Sequence, residues 1–204
     1  MQKTENIIFD LGGVILDIDY NLTRSAFEKL GVIHFDEMYS LANADKLFQK
    51  LETGQIDEND FYKELNRSAG LHLSAEEIRT AWNSMLLSFR ESSLQFLEDI
   101  RSKYNIYLLS NTNFIHLSCF KELFHQKKRN MTFEEYFKEA FYSCEIGLRK
   151  PDVGSYDWVL NKTGVETNKT LFIDDSIPNI EAAKRAGLQT ILLATGNRIE
   201  DLGL

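Results

Sequence analysis

The strongest constraint on the fold is a set of short, largely apolar runs, several of which end on a residue able to do chemistry. Asn6–Phe9 (NIIF) is followed by Asp10, Ile106–Leu109 (IYLL) by Ser110 and Asn111, and Thr170–Ile173 (TLFI) by Asp174 and Asp175. Runs of this kind fit strands covered on both faces. Thr190–Leu193 (TILL) is a fourth, and Ala140–Ser143 (AFYS) a weaker fifth. Helical patterns lie between the later runs, over Asn113–Leu123, Pro151–Lys162 and Ile177–Ala186. Strand alternating with helix predicts an α/β fold, a Rossmann-like parallel sheet with crossover helices.

The stretch from Asp19 to Met85 reads differently, with helix punctuation and no clear strand. Asn21 is placed to cap a helix that ends before Gly31. Phe35–Leu51 carries Met38, Leu41, Leu47, Phe48 and Leu51 at helical spacing and ends near Gly54. Asp57 is placed to cap a third helix reaching Gly70. Ser74 with Glu77 forms a capping-box pattern ahead of Ile78, Trp82 and Met85. The expectation is an inserted all-α, four-helix cap over residues 17–90, on an α/β core made of residues 1–16 and 91–204. A helix over Ser92–Tyr104 returns the chain to the sheet.

The chain has 204 residues, 43% of them apolar and 26% charged, which is ordinary globular usage and excludes disordered and collagen-like classes. Acidic residues outnumber basic ones 31 to 23, giving a net charge of −8. That balance argues against a nucleic-acid surface, so an anionic ligand needs a local site that overcomes the global field. The basic run Lys127–Arg129 reads as a solvated loop. Cys119 and Cys144 are too few for a disulfide scaffold and read as small buried residues. No signal-peptide core precedes Asp10 and no spanning run occurs, so the expected setting is cytoplasmic, with no membrane partner. Phe96, Phe114, Phe120 and Phe124 fit core packing. Trp158 reads as core, and Trp82 as core or as a wall of a substrate cavity.

In an open parallel sheet, ligands bind beyond the carboxyl ends of the strands. Those ends gather Asp10, Ser110, Asn111, Asp174 and Asp175, with Lys150 just ahead of Pro151. Carboxylates at adjacent strand ends repel one another unless a cation neutralises them, and all-oxygen ligands favour Mg²⁺. Ser110 with backbone N–H groups at a strand-to-helix turn suits an oxyanion, and Lys150 offsets its charge. The plain alternatives are helix caps for Ser110, Asn111, Asp174 and Asp175, and a surface lysine. Gly12-Gly13 suggests close backbone approach, without the third glycine of a dinucleotide fingerprint. Together these parts suggest phosphoryl transfer to an aspartate.

Four motifs stand in one order: FDLGGV (Phe9–Val14), LLSNTN (Leu108–Asn113), GLRKPD (Gly147–Asp152) and FIDDSIPNI (Phe172–Ile180). In this the chain resembles the haloacid dehalogenase-like hydrolase superfamily over its whole length, the helical insert matching the family's small cap. Within it the sequence is most similar to small-capped sugar-phosphate phosphatases of the alpha-D-glucose-1-phosphate phosphatase type. Amino-terminal domains of soluble epoxide hydrolases also look similar. The resemblance implies that Asp10 is nucleophile and metal ligand, and that Gly12 offers its carbonyl to the metal. Asp174 and Asp175 would complete the Mg²⁺ site. Ser110 and Asn111 would bind phosphate, and Lys150 would clamp the phosphate and Asp10. The substrate implied is a small phosphorylated metabolite.

One position departs from the pattern. Most phosphatases of the family carry a second Asp two residues after the nucleophile, where this chain has Gly12. Loss of a positioned acid/base typically costs about 10²–10⁴-fold, so slow turnover is expected unless another group substitutes or the leaving group is good. His34 and His72 in the cap are candidates, though a surface or packing role is the expected one for each. Two other readings stay open: a metal-independent 2-haloacid dehalogenase, against which the Asp174-Asp175 pair argues, and a catalytically weak binding or regulatory protein. Asp17 and Asp19 fall at the core–cap junction without an assigned role, Asn179 is within reach of the acidic pair, and oligomeric state is not legible.

Overall fold

The computed structural model describes residues 3–33, 35–36 and 47–204. A five-stranded parallel sheet forms the core. Its strands are β1 (Asn6–Phe9), β4 (Asn105–Ser110), β5 (Glu139–Tyr142), β6 (Thr170–Asp174) and β7 (Gln189–Leu192). Their order is β5-β4-β1-β6-β7, so the chain reverses direction across the sheet on either side of β1. Phe9 pairs in register with Leu108 on one side and Ile173 on the other. The three strand ends that carry Asp10, Ser110 and Asp174 are therefore neighbours. Every residue of β1 and β6 is buried, as expected for strands sandwiched between helices.

Helices α5 (Glu91–Ile100), α6 (Phe114–His125), α7 (Ser143–Ile146), α8 (Val153–Thr163) and α9 (Ile177–Arg185) cover the sheet. One face packs Phe9, Leu94, Leu97, Leu108, Phe120 and Phe133, and the other Ile8, Leu109, Tyr156, Val159 and Phe172. Helix α5 ends at Ile100, earlier than Tyr104: Arg101 is its C-cap, and a turn follows in which Lys103 and Tyr104 both donate to the Ile100 carbonyl.

The insert contains α1 (Tyr20–Lys29), α2 (Leu47–Glu52), α3 (Glu58–Ala69) and α4 (Ala75–Asn83). Asp57 caps α3 and Gly70 ends it at φ 66°; Ser74 and Glu77 form the capping box of α4. Asp19, rather than Asn21, caps α1: its carboxylate accepts from the Asn21 N–H, placing Asn21 inside the first turn. The helix expected over Phe35–Leu51 is described at Phe35–Asp36 and over α2; Met38, Leu41 and His34 lie outside the described residues. The insert has its own core around Phe27, Phe35, Phe48, Phe61 and Trp82, and Ile115 of α6 joins it from below.

A two-stranded antiparallel ribbon of β2 (Leu16–Ile18) and β3 (Leu86–Phe89) links insert to core. It was not expected from the sequence. Strands of three and four residues, with Ser88 and Leu87 facing solvent, are too short for a period to register. Arg90 fastens the ribbon, with Nε 2.6 Å from Asp17 and a guanidinium N–H donated to the Val14 carbonyl.

Several expected core residues differ in detail. Phe120 and Phe124 are buried, whereas Phe114 is exposed at the first position of α6. Cys144 is buried and Cys119 half-buried. Trp158 packs edge-on against Phe141. Trp82 belongs to the insert's core. Lys127 and Lys128 are exposed, but Arg129 is drawn inward to Glu91, Glu98 and the Tyr136 hydroxyl.

Candidate active site

Parallel pairing brings three acidic side chains to one point. Asp10 leaves β1 with its N–H donated to the Ile173 carbonyl, and Asp174 is the last residue of β6. Carboxylate oxygens of Asp10, Asp174 and Asp175 lie within 4.8 Å of one another. Asp175 approaches across Gly13, whose φ is 74°. A Cβ at Gly13 would fall 2.1 Å from Asp175 Oδ2, so only glycine allows this convergence.

Lys150 is not a surface lysine. It is 1% exposed, and its Nζ lies 2.5 Å from Asp10 Oδ1 and 2.7 Å from Asp174 Oδ2. Burial opposes its charge, but the two carboxylates outweigh that cost and raise its pKa. Asp10 is pushed up to about 7, first by burial and then by Asp174 and Asp175, against the pull of Lys150. Asp175 is raised by burial and by Asp174. One ammonium thus faces three carboxylates. The unbalanced charge and the all-oxygen donor set are what a hard divalent cation fits.

Asp174 is held in place by its neighbours. Its Oδ1 accepts from the Ser176 N–H at 2.8 Å, and Asn179 Nδ2 lies 3.0 Å from each of its oxygens. Tyr156 donates to the Asn179 carbonyl, tying α9 to α8. Asp174 does not cap α9, whose N-cap is Ser176; it holds the Ser176 N–H ahead of the helix while facing Lys150.

Ser110 and Asn111 take different places. Ser110 is buried at the end of β4, its hydroxyl making a long 3.5 Å bond to the Asn111 carbonyl. The Asn111 side chain is spent on the main chain of Lys150, donating to its carbonyl at 2.8 Å and accepting from its N–H at 2.9 Å. What Asn111 can offer an anion is its backbone. The helix-cap alternative fails for both, because Asn113 caps α6, accepting from Ile115 and His116. Ser143, which the sequence did not single out, bonds both the N–H and the carbonyl of Thr112 and so fixes this turn against the end of β5.

Gly12 has no side chain to act as acid or base, and Ile18 Cδ1 would lie 3.2 Å from a Cβ there. An apolar side chain thus flanks the position where most of the resembling phosphatases hold a carboxylate. Asp19 caps α1 and Asp17 pairs with Arg90, so both belong to the junction. His72 is exposed in the loop after α3. His116, also unflagged by the sequence, is buried between core and insert. Its Nε2 lies 3.1 Å from the Trp82 carbonyl and its ring stacks on the Trp82 ring at 4.8 Å. The Trp82 indole N–H reaches Asn113 Oδ1 at 3.4 Å, so Trp82 anchors the insert to the start of α6 rather than lining a cavity.

Among the described residues no helix is long and apolar enough to cross a membrane. The chain is 33% identical over 188 residues to the D-ribitol-5-phosphate phosphatase of Bacteroides thetaiotaomicron, covering 91% of this chain and 90% of that one. A haloacid dehalogenase family enzyme from the same organism has a solved structure that superposes with a TM-score of 0.91 at 30% identity, over 100% of both chains. A second structure of that enzyme, in complex with magnesium and inorganic phosphate, gives a TM-score of 0.89 at 32% identity, over 98% of each chain. The sequence model of haloacid dehalogenase-like hydrolases matches residues 4–187, and with this fold and these strand ends the chain belongs to that family of enzymes.

Proposed function

We propose that the protein is a Mg²⁺-dependent phosphatase of a small phosphorylated metabolite, a sugar or sugar-alcohol phosphate, acting through an aspartyl-phosphate on Asp10. The observation that carries this reading is the buried Lys150 ammonium between Asp10 and Asp174, with Asp175 completing an acidic triad at adjacent strand ends. The relative named as a D-ribitol-5-phosphate phosphatase, and the family enzyme solved with magnesium and inorganic phosphate, support it.

In this reading Asp10, the Gly12 carbonyl, Asp174 and Asp175 hold the metal. When bound, Mg²⁺ supplies the positive charge that brings an anionic phosphoryl group against an anionic nucleophile. An Asp10 carboxylate oxygen forms a bond to phosphorus as the bond to the leaving oxygen breaks, giving the acyl phosphate and an alkoxide that takes a proton from solvent water. Lys150 neutralises charge on the transferring group, and the Ser110 hydroxyl with the backbone N–H of Asn111 receives a phosphoryl oxygen. Water then cleaves the acyl phosphate and regenerates Asp10. Gly12 leaves the leaving-group proton and the attacking water without a carboxylate at the usual place, so turnover is slow for poor leaving groups. The division into a core of residues 1–16 and 91–204 and a cap of residues 17–90 belongs to the same reading, as does a cytoplasmic setting without nucleic-acid or membrane partners. Cap closure excludes water during transfer.

The test is phosphate release from a panel of sugar, sugar-alcohol and nucleotide phosphates, with Mg²⁺ and with chelator, and with Asp10→Asn protein as control. Mg²⁺-dependent release lost in the variant is the expected result. Halide release from 2-haloacids that survives chelator would instead make the chain a dehalogenase. Neither activity would leave a binding protein.

A further inference from the structure

Arg149 immediately precedes Lys150, and its guanidinium does not point to solvent. Its Nε lies 3.0 Å from Oε2 of Glu52, the last residue of α2 in the insert, with the two side chains 26% and 13% exposed. The contact is an ion pair, not an aligned hydrogen bond, for neither atom has a hydrogen-bond partner. Burial pushes the Glu52 carboxyl up and Arg149 pulls it back. A second contact lies at the same seam. Two residues on, Gly54 comes so close to α7 that a Cβ would lie 2.2 Å from the Cys144 carbonyl oxygen, and its φ is 65°. Residues 52–54 of the insert therefore rest on residues 144–149 of the core.

On its other side the Lys150 main chain is held by the Asn111 side chain. The loop that delivers Lys150 is thus gripped by the phosphate-side turn and, through Arg149, by the insert. A desolvated ion pair adds little net stability, because the cost of burying both charges offsets their attraction. What such a pair supplies is register, because any other placement of Arg149 leaves the Glu52 charge uncompensated.

We propose that Glu52 is a positioning residue, which through Arg149 sets Lys150 between Asp10 and Asp174 only when the insert is seated on the core. Seating of the insert and assembly of the charged site are then one event. This rests on the phosphoryl-transfer reading for its kinetic consequence, though not for its structural one. Glu52 touches no reacting atom; its effect runs along two residues of main chain.

The experiment compares full-length wild-type, Glu52→Gln, Arg149→Lys, Arg149→Gln and the double Glu52→Gln/Arg149→Gln proteins. Hydrogen exchange of residues 144–152 is read in the Mg²⁺-loaded chain, with thermal unfolding and with kcat and KM on the best substrate of the panel. Glu52→Gln is expected to lower kcat roughly tenfold with KM nearly unchanged, as misplacement of a catalytic group does. Exchange over residues 144–152 should rise several-fold, and by more than the accompanying fall in melting temperature accounts for, since Glu52→Gln leaves Arg149 without its counter-charge. Arg149→Lys should retain most of kcat, and the double variant should be no worse than the worse single one. Unchanged exchange over residues 144–152 in Glu52→Gln would overturn the proposal, as would multiplicative losses in the double variant. A fall in kcat that merely tracks a lowered melting temperature would do the same. If Arg149→Gln fails to fold, Glu52→Gln and Arg149→Lys still decide. If wild-type protein releases no phosphate at all, the proposed function fails, while the exchange measurement still tests the positioning role.

Discussion

Asp174 shows how much of the site depends on a residue that touches no ligand. Asn179 donates to both of its oxygens and is itself anchored through Tyr156. Removing those donors frees the carboxylate to rotate away from Lys150 and from the other two acids. Asn179→Ala should weaken Mg²⁺ activation about 10–100-fold, the usual effect of losing a hydrogen bond behind a ligand. The measurement is the Mg²⁺ concentration for half-maximal phosphate release; an unchanged midpoint would mean that Ser176 and Lys150 hold Asp174 unaided. At this scale the acids were legible in the sequence because each follows an apolar run. Lys150 stood out by its place just ahead of Pro151 and by motif order, although a lone lysine is by default solvated. That the Asn111 side chain is spent on the Lys150 backbone, or that Glu52 meets Arg149 across 97 positions, leaves no local signature. Both are pairings across loops, and no periodicity encodes them.

Helix α6 is the element on which insert and core both depend. Its cap, Asn113, receives the Trp82 indole N–H; Ile115 enters the insert's apolar cluster; and His116 lies under the Trp82 carbonyl, which also accepts from Thr23. Burial pushes His116 down to about 4, against an ordinary value near 6.5, so the folded protein keeps it neutral. The unfolded chain binds that proton more readily. Stability from this group is therefore full above about pH 6.5 and is lost as pH falls toward 4, to a limit of about 3 kcal/mol. Urea unfolding of wild-type and His116→Gln protein at pH 7 and pH 5 checks this. The variant should lose less stability between the two pH values, and equal losses would refute the assignment. Strands of the core were readable because both faces are covered, which makes each a continuous apolar run. The junction was not. Its ribbon is too short for a pattern, and His116 sits in a helix whose sequence shows no reason to bury an imidazole.

Among the described residues, the sheet core and the insert meet through the ribbon, through helix α6 and where residues 52–54 rest on residues 144–149. The sheet core has one apolar cluster on each face and the insert has its own, which among the described residues takes in Ile115 of the core's α6. For the proposed phosphorylated substrate a net charge of −8 is unfavourable, so its capture would fall to Lys150 and the N–H groups at the strand ends. In the proposed reaction those groups are closed off from water for transfer and reopened for release, and the ribbon, as the link between insert and core, is the proposed place for that motion. Arg90 stiffens it by bridging Asp17 and the Val14 carbonyl, close to the turn that carries Gly12 and Gly13. Arg90→Ala should therefore alter opening and closing together, changing kcat and KM in the same experiment by several-fold, as hinge substitutions commonly do. Glu52→Gln, acting on the seated state alone, should change kcat with KM held. The two variants separate a hinge from a positioning contact. Steady-state kinetics on one substrate, with the Mg²⁺ concentration fixed at saturation, would give that separation. Identical kcat and KM responses in both variants would mean that the ribbon and the seam act as a single rigid support rather than as a joint and a stop.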